Sequence, residues 1–141
     1  PDAGDTLFIG LFITAEINGI IAFVKGKGHQ TLIERGFHPK SLAHITGGGL
    51  VDNVPRVFPG GLAAQININS WPKIPIFQFL IENLDLRTSE LYRTFNMGIG
   101  LTIIVSPSQK DSLIKMLGED GCYEIGTMVT DSSKQVYLND K

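Results

Sequence analysis

Three consecutive glycines, Gly47, Gly48 and Gly49, stand between a short apolar run at Leu42, Ala43 and Ile45 and a stretch whose apolar residues fall at Leu50, Val51, Val54, Val57 and Phe58. The second spacing is that of one helix face, so the order reads as strand, glycine loop, helix. Glycine tolerates positive φ and leaves its backbone N–H uncovered, and the first N–H groups of the following helix have no intrahelical partners. Such a junction suits an anion, most often phosphate. The polar groups around it are His44 and Thr46 before the loop, Asn53 and Arg56 after it, and Arg93 and Asn96 farther along. Thr46 can cap the helix or offer its hydroxyl to the same anion. Arg56 and Arg93 can make charge-assisted contacts to phosphate, but each reads equally well as a solvated helix residue or half of an ion pair. Pro55 lies too deep for a first-turn proline, so the helix should kink or stop near it. Taken alone the loop is neither a dinucleotide fingerprint nor a Walker A loop, and a glycine turn before a helix is more often a plain joint than a ligand cradle.

The elements that must position these residues follow from periodicity. Leu7 to Phe12 reads as a buried strand after the Gly4-Asp5 turn, and Ile13, Ile17, Ile20, Ile21 and Val24 repeat at helical spacing. Together they form an 18-residue run, Leu7 to Val24, with the single charge Glu16. That length is at the lower limit for a membrane span, and a carboxylate near its centre costs ~2.5–3.5 kcal/mol on insertion, so strand plus amphipathic helix is the better account. Gly26-Lys27-Gly28-His29 ends that helix and is no phosphate loop, since it follows a helix and lacks a Ser or Thr after Lys27. His29 and His38 have no second ligand at metal spacing and read as surface residues.

Downstream, Phe58 to Gly61 is a turn and Leu62 to Ile68 a strand. Pro72 and Pro75 open a helix whose Ile74, Phe77, Leu80, Ile81 and Leu84 share a face, which with Trp71 reads as core. Thr88 or Ser89 caps a short helix carrying Leu91 and Phe95 and ending at Asn96-Met97-Gly98. Thr94 and Asn96 there also read as capping residues. Gly100 to Val105 is a strand, Ser106-Pro107-Ser108-Gln109 starts a helix packing Leu113, Ile114 and Leu117, and Cys122 to Val129 is another strand. Gln135 to Leu138 can pair with that last strand across the Asp131-Ser132-Ser133 turn. The pattern is an α/β chain of α+β type, a mixed sheet covered by helices.

A length of 141 residues bounds the chain to one domain with a real core. A net charge of -2 gives no electrostatic footprint for nucleic acid. The single cysteine, Cys122, excludes an internal disulfide and reads as a small buried residue at a strand start in a reducing compartment. The chain begins with Pro1, as a piece of a longer polypeptide would.

Two stretches in register go further than any glycine pattern. His44 to Arg56, and Arg93-Thr94-Phe95-Asn96-Met97-Gly98-Ile99-Gly100, closely resemble the two signature blocks of the C-terminal domain of phosphoribosylformylglycinamidine cyclo-ligase, or AIR synthetase, of purine biosynthesis. Ser70-Trp71-Pro72 stands between them in the family's order, and the resemblance covers residues 41 to 129 of a single domain, 1 to 141. Asp52 replaces the family's usual Glu and Phe58 a frequent Leu. Gly4-Asp5-Thr6-Leu7 resembles the family's first strand of this domain, but the Ser-Gly-x-His-Ser-Asn-Gly motif that should follow is replaced by Phe12-Ile13-Thr14-Ala15, and residues 13–40 diverge.

The resemblance implies a cytoplasmic ATP-dependent ligase that closes the imidazole ring of formylglycinamidine ribonucleotide to give 5-aminoimidazole ribonucleotide. It implies His44 and Asn96 as catalytic candidates, and Thr46, Gly47, Gly48, Gly49, Asn53, Arg56 and Arg93 as substrate or phosphate contacts. His44, Thr46, Asn53 and Asn96 could alternatively hold the loop's shape. It implies ATP and Mg2+ as cofactors, held mainly by an N-terminal domain that is not in this sequence, and a homodimer of the full enzyme, with no metal ligands here and no nucleic acid or membrane partner. The alternative is a non-catalytic fragment or interaction module that keeps the fold and an anion-binding loop.

Overall fold

The computed structural model describes residues 7–12, 36, 41–58, 60–117 and 122–140. They form β1 (Leu7–Phe12), β2 (Ser41–His44), α1 (Gly49–Asn53), a 3-10 turn (Val54–Val57), β3 (Leu62–Asn67), α2 (Pro75–Asn83), α3 (Thr88–Thr94), β4 (Ile99–Val105), α4 (Pro107–Leu117), β5 (Cys122–Thr130) and β6 (Val136–Asn139). The six strands make one sheet in the order β2-β4-β1-β5-β3-β6. All neighbours are antiparallel except β3 and β6, which run parallel. This is the mixed sheet of an α+β domain expected from the pattern.

The near-continuous apolar run of β4 is explained by its place: every residue from Ile99 to Val105 is buried, because both faces of the sheet are covered there. On one face Ile99 and Ile104 join Leu50, Val54, Trp71, Leu91 and Tyr92 in the larger core. On the other, Leu101, Ile103 and Val105 pack with Leu113 of α4 and Cys122. Burial in β5 recurs every third residue, at Cys122, Ile125 and Met128, which no regular strand allows. Cys122 belongs to the second core on the opposite face, and a register shift brings Ile125 and Met128 to the larger one: Phe8 pairs with Gly126 and Ile9 with Glu124, so Ile125 is an extra residue. Gly126 is required beside it, since a Cβ there would lie 2.0 Å from the Gln65 carbonyl oxygen.

The expected pairing of the last strand with β5 is overturned. Both edges of β5 are already taken by β1 and β3, so the segment after the Asp131 turn crosses to the free edge of β3, pairing Ala64 with Val136 and Asn67 with Asn139. Helix α2 also differs from the expected core element. Phe77 and Ile81 pack against the larger core, yet no residue of α2 is fully buried, and Ile76 and Phe79 are each 57% exposed. The helix lies on the rim of the core, with only one narrow side in contact. Trp71 is core as expected, with its indole N–H donating to the Met97 carbonyl at 3.0 Å. Arg87, not Thr88 or Ser89, occupies the cap of α3, and its N–H donates to the Glu90 carboxylate at 3.0 Å.

Leu7 to Phe12 is a strand, so the 18-residue apolar run is not one continuous helix. The helix expected at Ile13 to Val24, the turn at Gly26 to His29, and His29 and His38 lie outside the described residues. Among the described residues no helix is long and apolar enough to cross a membrane.

Candidate functional site

The glycine loop leaves the end of β2 where Ile45 N–H still donates to the Gly100 carbonyl at 2.9 Å, which holds the loop against β4 and the second sequence block. Gly48 (φ +102°) and Gly49 (φ +60°) both take the left-handed region that favours glycine. Gly48 occupies the N-cap position of α1 without any side-chain cap, so Thr46 does not cap this helix. The Thr46 hydroxyl instead donates to the Asn53 side-chain oxygen at 3.3 Å. Pro55 ends the α-helical geometry as expected, since the chain continues as a 3-10 turn from Val54.

Gly49 is locked between elements. A Cβ on it would stand 2.0 Å from the Tyr92 carbonyl oxygen and 2.7 Å from that of Phe95, so α1 approaches the end of α3 more closely than any side chain permits. Its N–H donates to the Thr46 carbonyl at 3.0 Å and is not free for an anion. Among the described residues the N–H groups of Thr46, Gly47 and Gly48 have no acceptor. Gly47 is exposed and Gly48 half-buried, so these are the amides available to a phosphate oxygen.

Asn53 is 5% exposed, and its side-chain NH2 donates to the carbonyls of Thr46 (3.1 Å), Gly47 (3.2 Å) and Gly49 (2.9 Å). Two protons serve three acceptors, leaving no donor for a ligand. Of its two sequence readings, the geometry supports holding the loop. Asn96 accepts the Gly98 N–H at 2.9 Å, and its own carbonyl accepts the Ile99 N–H, which closes the turn where Met97 takes φ 54°. That use matches its capping alternative, and among the described residues its side-chain NH2 has no acceptor.

Arg93 reaches Asp52 at 3.3 Å, and both side chains are about half exposed (57% and 44%). Asp52 in turn lies under the loop: a Cβ on Gly48 would come within 2.8 Å of its Cβ. The pair borders a groove of about 620 Å3 between α1, α3 and β6, which also takes in Thr88, Ser89 and Lys134. Sequence reasoning missed the pairing because 41 positions separate the partners and neither residue carries a local signal. His44 and Arg56 are exposed and make no side-chain hydrogen bond or ion pair among the described residues. The structure thus gathers Thr46, the glycines, Asn53, Asp52 and Arg93, sets Asn96 one turn beyond α3, and leaves His44 and Arg56 on the surface nearby in sequence. Two buried titratable groups stand off this cluster's surface: burial pushes the Tyr92 phenol up to about 12 and the Cys122 thiol up to about 11. Neither is suited to proton transfer near neutral pH.

The comparisons with known proteins bear on the family and the fold. A family model described as "AIR synthase related protein, C-terminal domain" matches residues 26–139, a wider stretch than the one bearing the two blocks. A phosphoribosylformylglycinamidine cyclo-ligase of Geobacillus kaustophilus is 47% identical over 96 residues, which are 67% of this chain and 28% of that protein. That of Brevibacillus brevis is 43% identical over 100 residues, 70% of this chain and 29% of its own length. A bifunctional purine biosynthetic protein of Dictyostelium discoideum is 46% identical over 97 residues, 12% of its length. The matched stretch therefore spans less than a third of these relatives. Among solved structures, a thiamine-monophosphate kinase from Stenotrophomonas maltophilia shares the fold at a TM-score of 0.58 and 12% identity, covering all of this chain and 51% of that one. With four fifths of its length inside the family model, the chain belongs to the AIR synthase related family, as a C-terminal domain.

Proposed function

We propose that this chain is the substrate-side domain of an ATP-dependent cyclo-ligase that closes the imidazole ring of formylglycinamidine ribonucleotide in purine biosynthesis. The observation that carries the reading is the 41–47% identity to proteins named phosphoribosylformylglycinamidine cyclo-ligase. In that reaction ATP supplies the phosphoryl group that activates the formyl oxygen, and attack by the amidine nitrogen expels phosphate. The domain's share is positioning and electrostatics. The N–H groups of Gly47 and Gly48 bind an oxyanion, the Thr46 hydroxyl, which donates to Asn53 at 3.3 Å, helps to hold the loop, and His44 and the side-chain NH2 of Asn96 orient the reacting ribonucleotide. Arg93 adds positive charge partly balanced by Asp52, and Arg56 is a second cation on the following turn. The donor chemistry fits a phosphate and does not fit magnesium: among the described residues no cluster of three or more His, Cys, Asp or Glu could hold a metal ion. The metal and the rest of the nucleotide site belong to the N-terminal domain in this reading, within a cytoplasmic homodimeric enzyme.

A second reading, a non-catalytic module that keeps the anion loop, is favoured by one observation. The relatives align to only 67–70% of this chain. The two are separated by ADP release and aminoimidazole formation from ATP, magnesium and formylglycinamidine ribonucleotide. The chain alone should show no turnover, because misplacing reacting groups by even ~1 Å costs about a hundredfold. Turnover should appear when the N-terminal portion of a cyclo-ligase relative is added. Turnover by the chain alone refutes the two-domain reading, and silence in both mixtures selects the module.

A further inference from the structure

We propose that the outer edge of β6 is the seam on which a second copy of this chain docks, so that two sheets join antiparallel across a twofold axis at Tyr137. β6 ends the sheet, and among the described residues no strand lies beyond it. The Ala64 N–H donates to the Gln135 carbonyl and the Ile68 N–H to the Asn139 carbonyl, which fixes the phase of the ladder. Alternate residues of a parallel strand direct their backbone groups at the neighbour, so Gln135, Tyr137 and Asn139 face β3 while the N–H and C=O of Val136 and Leu138 face away from it. The strand holds neither the proline nor the charge that usually blunts such an edge. Pairing Val136 with Leu138 of the second copy, and Leu138 with Val136 of the second copy, uses every outward group of the strand, whereas a slip of two residues carries half of them past its end. The charges select the same arrangement. Lys134 then lies opposite Asp140 of the second copy at both ends of the seam, whereas a parallel pairing would set Lys134 against Lys134. Both residues are exposed, and neither side chain has an ion pair among the described residues. The groove of about 620 Å3 receives what the pairing brings: Val136 and Leu138 line it with Val51 and Pro55, and the same two residues of the second copy point to that face. On the other face Tyr137 is 37% exposed, with its phenol O–H donating to the Asp131 carboxylate, and the two copies of its ring meet across the axis.

The seam stands apart from the ring-closure reading, since association needs neither ATP nor another domain. Sedimentation equilibrium of the full chain from ~1 μM to ~1 mM should show monomer and dimer in exchange. Val136→Pro should weaken the dimer by about tenfold or more, because it deletes, once on each copy, an N–H that the seam uses and β3 does not. Lys134→Glu or Asp140→Lys alone should weaken it by about threefold or more by setting like charges opposite, and the two exchanges together should restore it. Amide hydrogen exchange reads the place. The Val136 and Leu138 N–H groups should slow as the dimer forms, whereas that of Tyr137, turned to β3, stays slow throughout. A chain that is monomeric at every concentration overturns the proposal and leaves the edge to a different chain. A dimer that Val136→Pro and both charge reversals leave unchanged lies on another surface and overturns it equally. Should Val136→Pro fail to fold, the charge exchange and the unaltered chain decide. No rescue by the double variant, or Val136 and Leu138 amides that exchange at one rate at every concentration, refutes the seam.

Discussion

Replacing Gly49 by alanine tests the close approach that joins the two sequence blocks. The added Cβ would sit 2.0 Å from the Tyr92 carbonyl oxygen and 2.7 Å from that of Phe95, and both are backbone atoms that cannot rotate aside. Position 49 also holds φ +60°. An L side chain in the left-handed region costs about 1–2 kcal/mol, and overpacking a filled site typically costs about 1–3 kcal/mol more. The sum, about 2–5 kcal/mol, is a large share of a domain's usual stability. It should appear in urea unfolding as a lower midpoint at unchanged slope, followed by tryptophan fluorescence of buried Trp71. Gly47→Ala is the internal control, because a Cβ there meets nothing within 4 Å. A Gly49→Ala loss below about 1 kcal/mol, or one no larger than that of Gly47→Ala, would refute the argument that α1 and α3 touch through this glycine.

Trp71→Phe keeps part of the ring but removes the donor to the Met97 carbonyl; leaving a buried acceptor unpaired should cost about 1–3 kcal/mol in urea unfolding followed by far-UV circular dichroism, since this variant has no tryptophan to report, and no measurable change would place that carbonyl in water. Alkaline stability should fall above pH 9. Cys122 and Tyr92 are raised from 9.0 and 10.0 to about 11 and about 12, so the native state retains protons that the unfolded chain releases, and stability drops as pH rises from each unfolded value towards the folded one. Thermal melts from pH 7 to 11 should show the decline, and Cys122→Ala should flatten its lower part. A thiol reagent at pH 8 should leave Cys122 untouched in the folded chain and label it in urea, and fast labelling without denaturant would contradict its burial.

Periodicity and turn chemistry, which act over a few residues, were sufficient for most elements. The strand before the glycines (Ser41–His44), the glycine junction, the change of helix type at Pro55, the apolar strand through Val105 and the proline-started helix at Pro107 all appear where local pattern placed them. The two signature blocks likewise made the family legible before any coordinates. What local pattern could not supply were choices that depend on which neighbour is already occupied. Residues 136–139 look like a hairpin partner for β5 and lie on β3 instead, because β5 has no free edge. The stripe on α2 looks like core and stays at the rim, since amphipathicity says which side of a helix faces the protein but not how much protein waits there. In the site, residue types alone left Asn53 open between ligand contact and scaffold. Only the tertiary structure, by bringing three loop carbonyls onto one buried NH2, decides for scaffold, and only it sets Arg93 against Asp52 and the Tyr92 carbonyl against Gly49. Contacts between residues about forty positions apart leave no period in the chain, so the sequence named the parts of the loop while the packing of α1 on α3 and β4 determined which of its groups face outward.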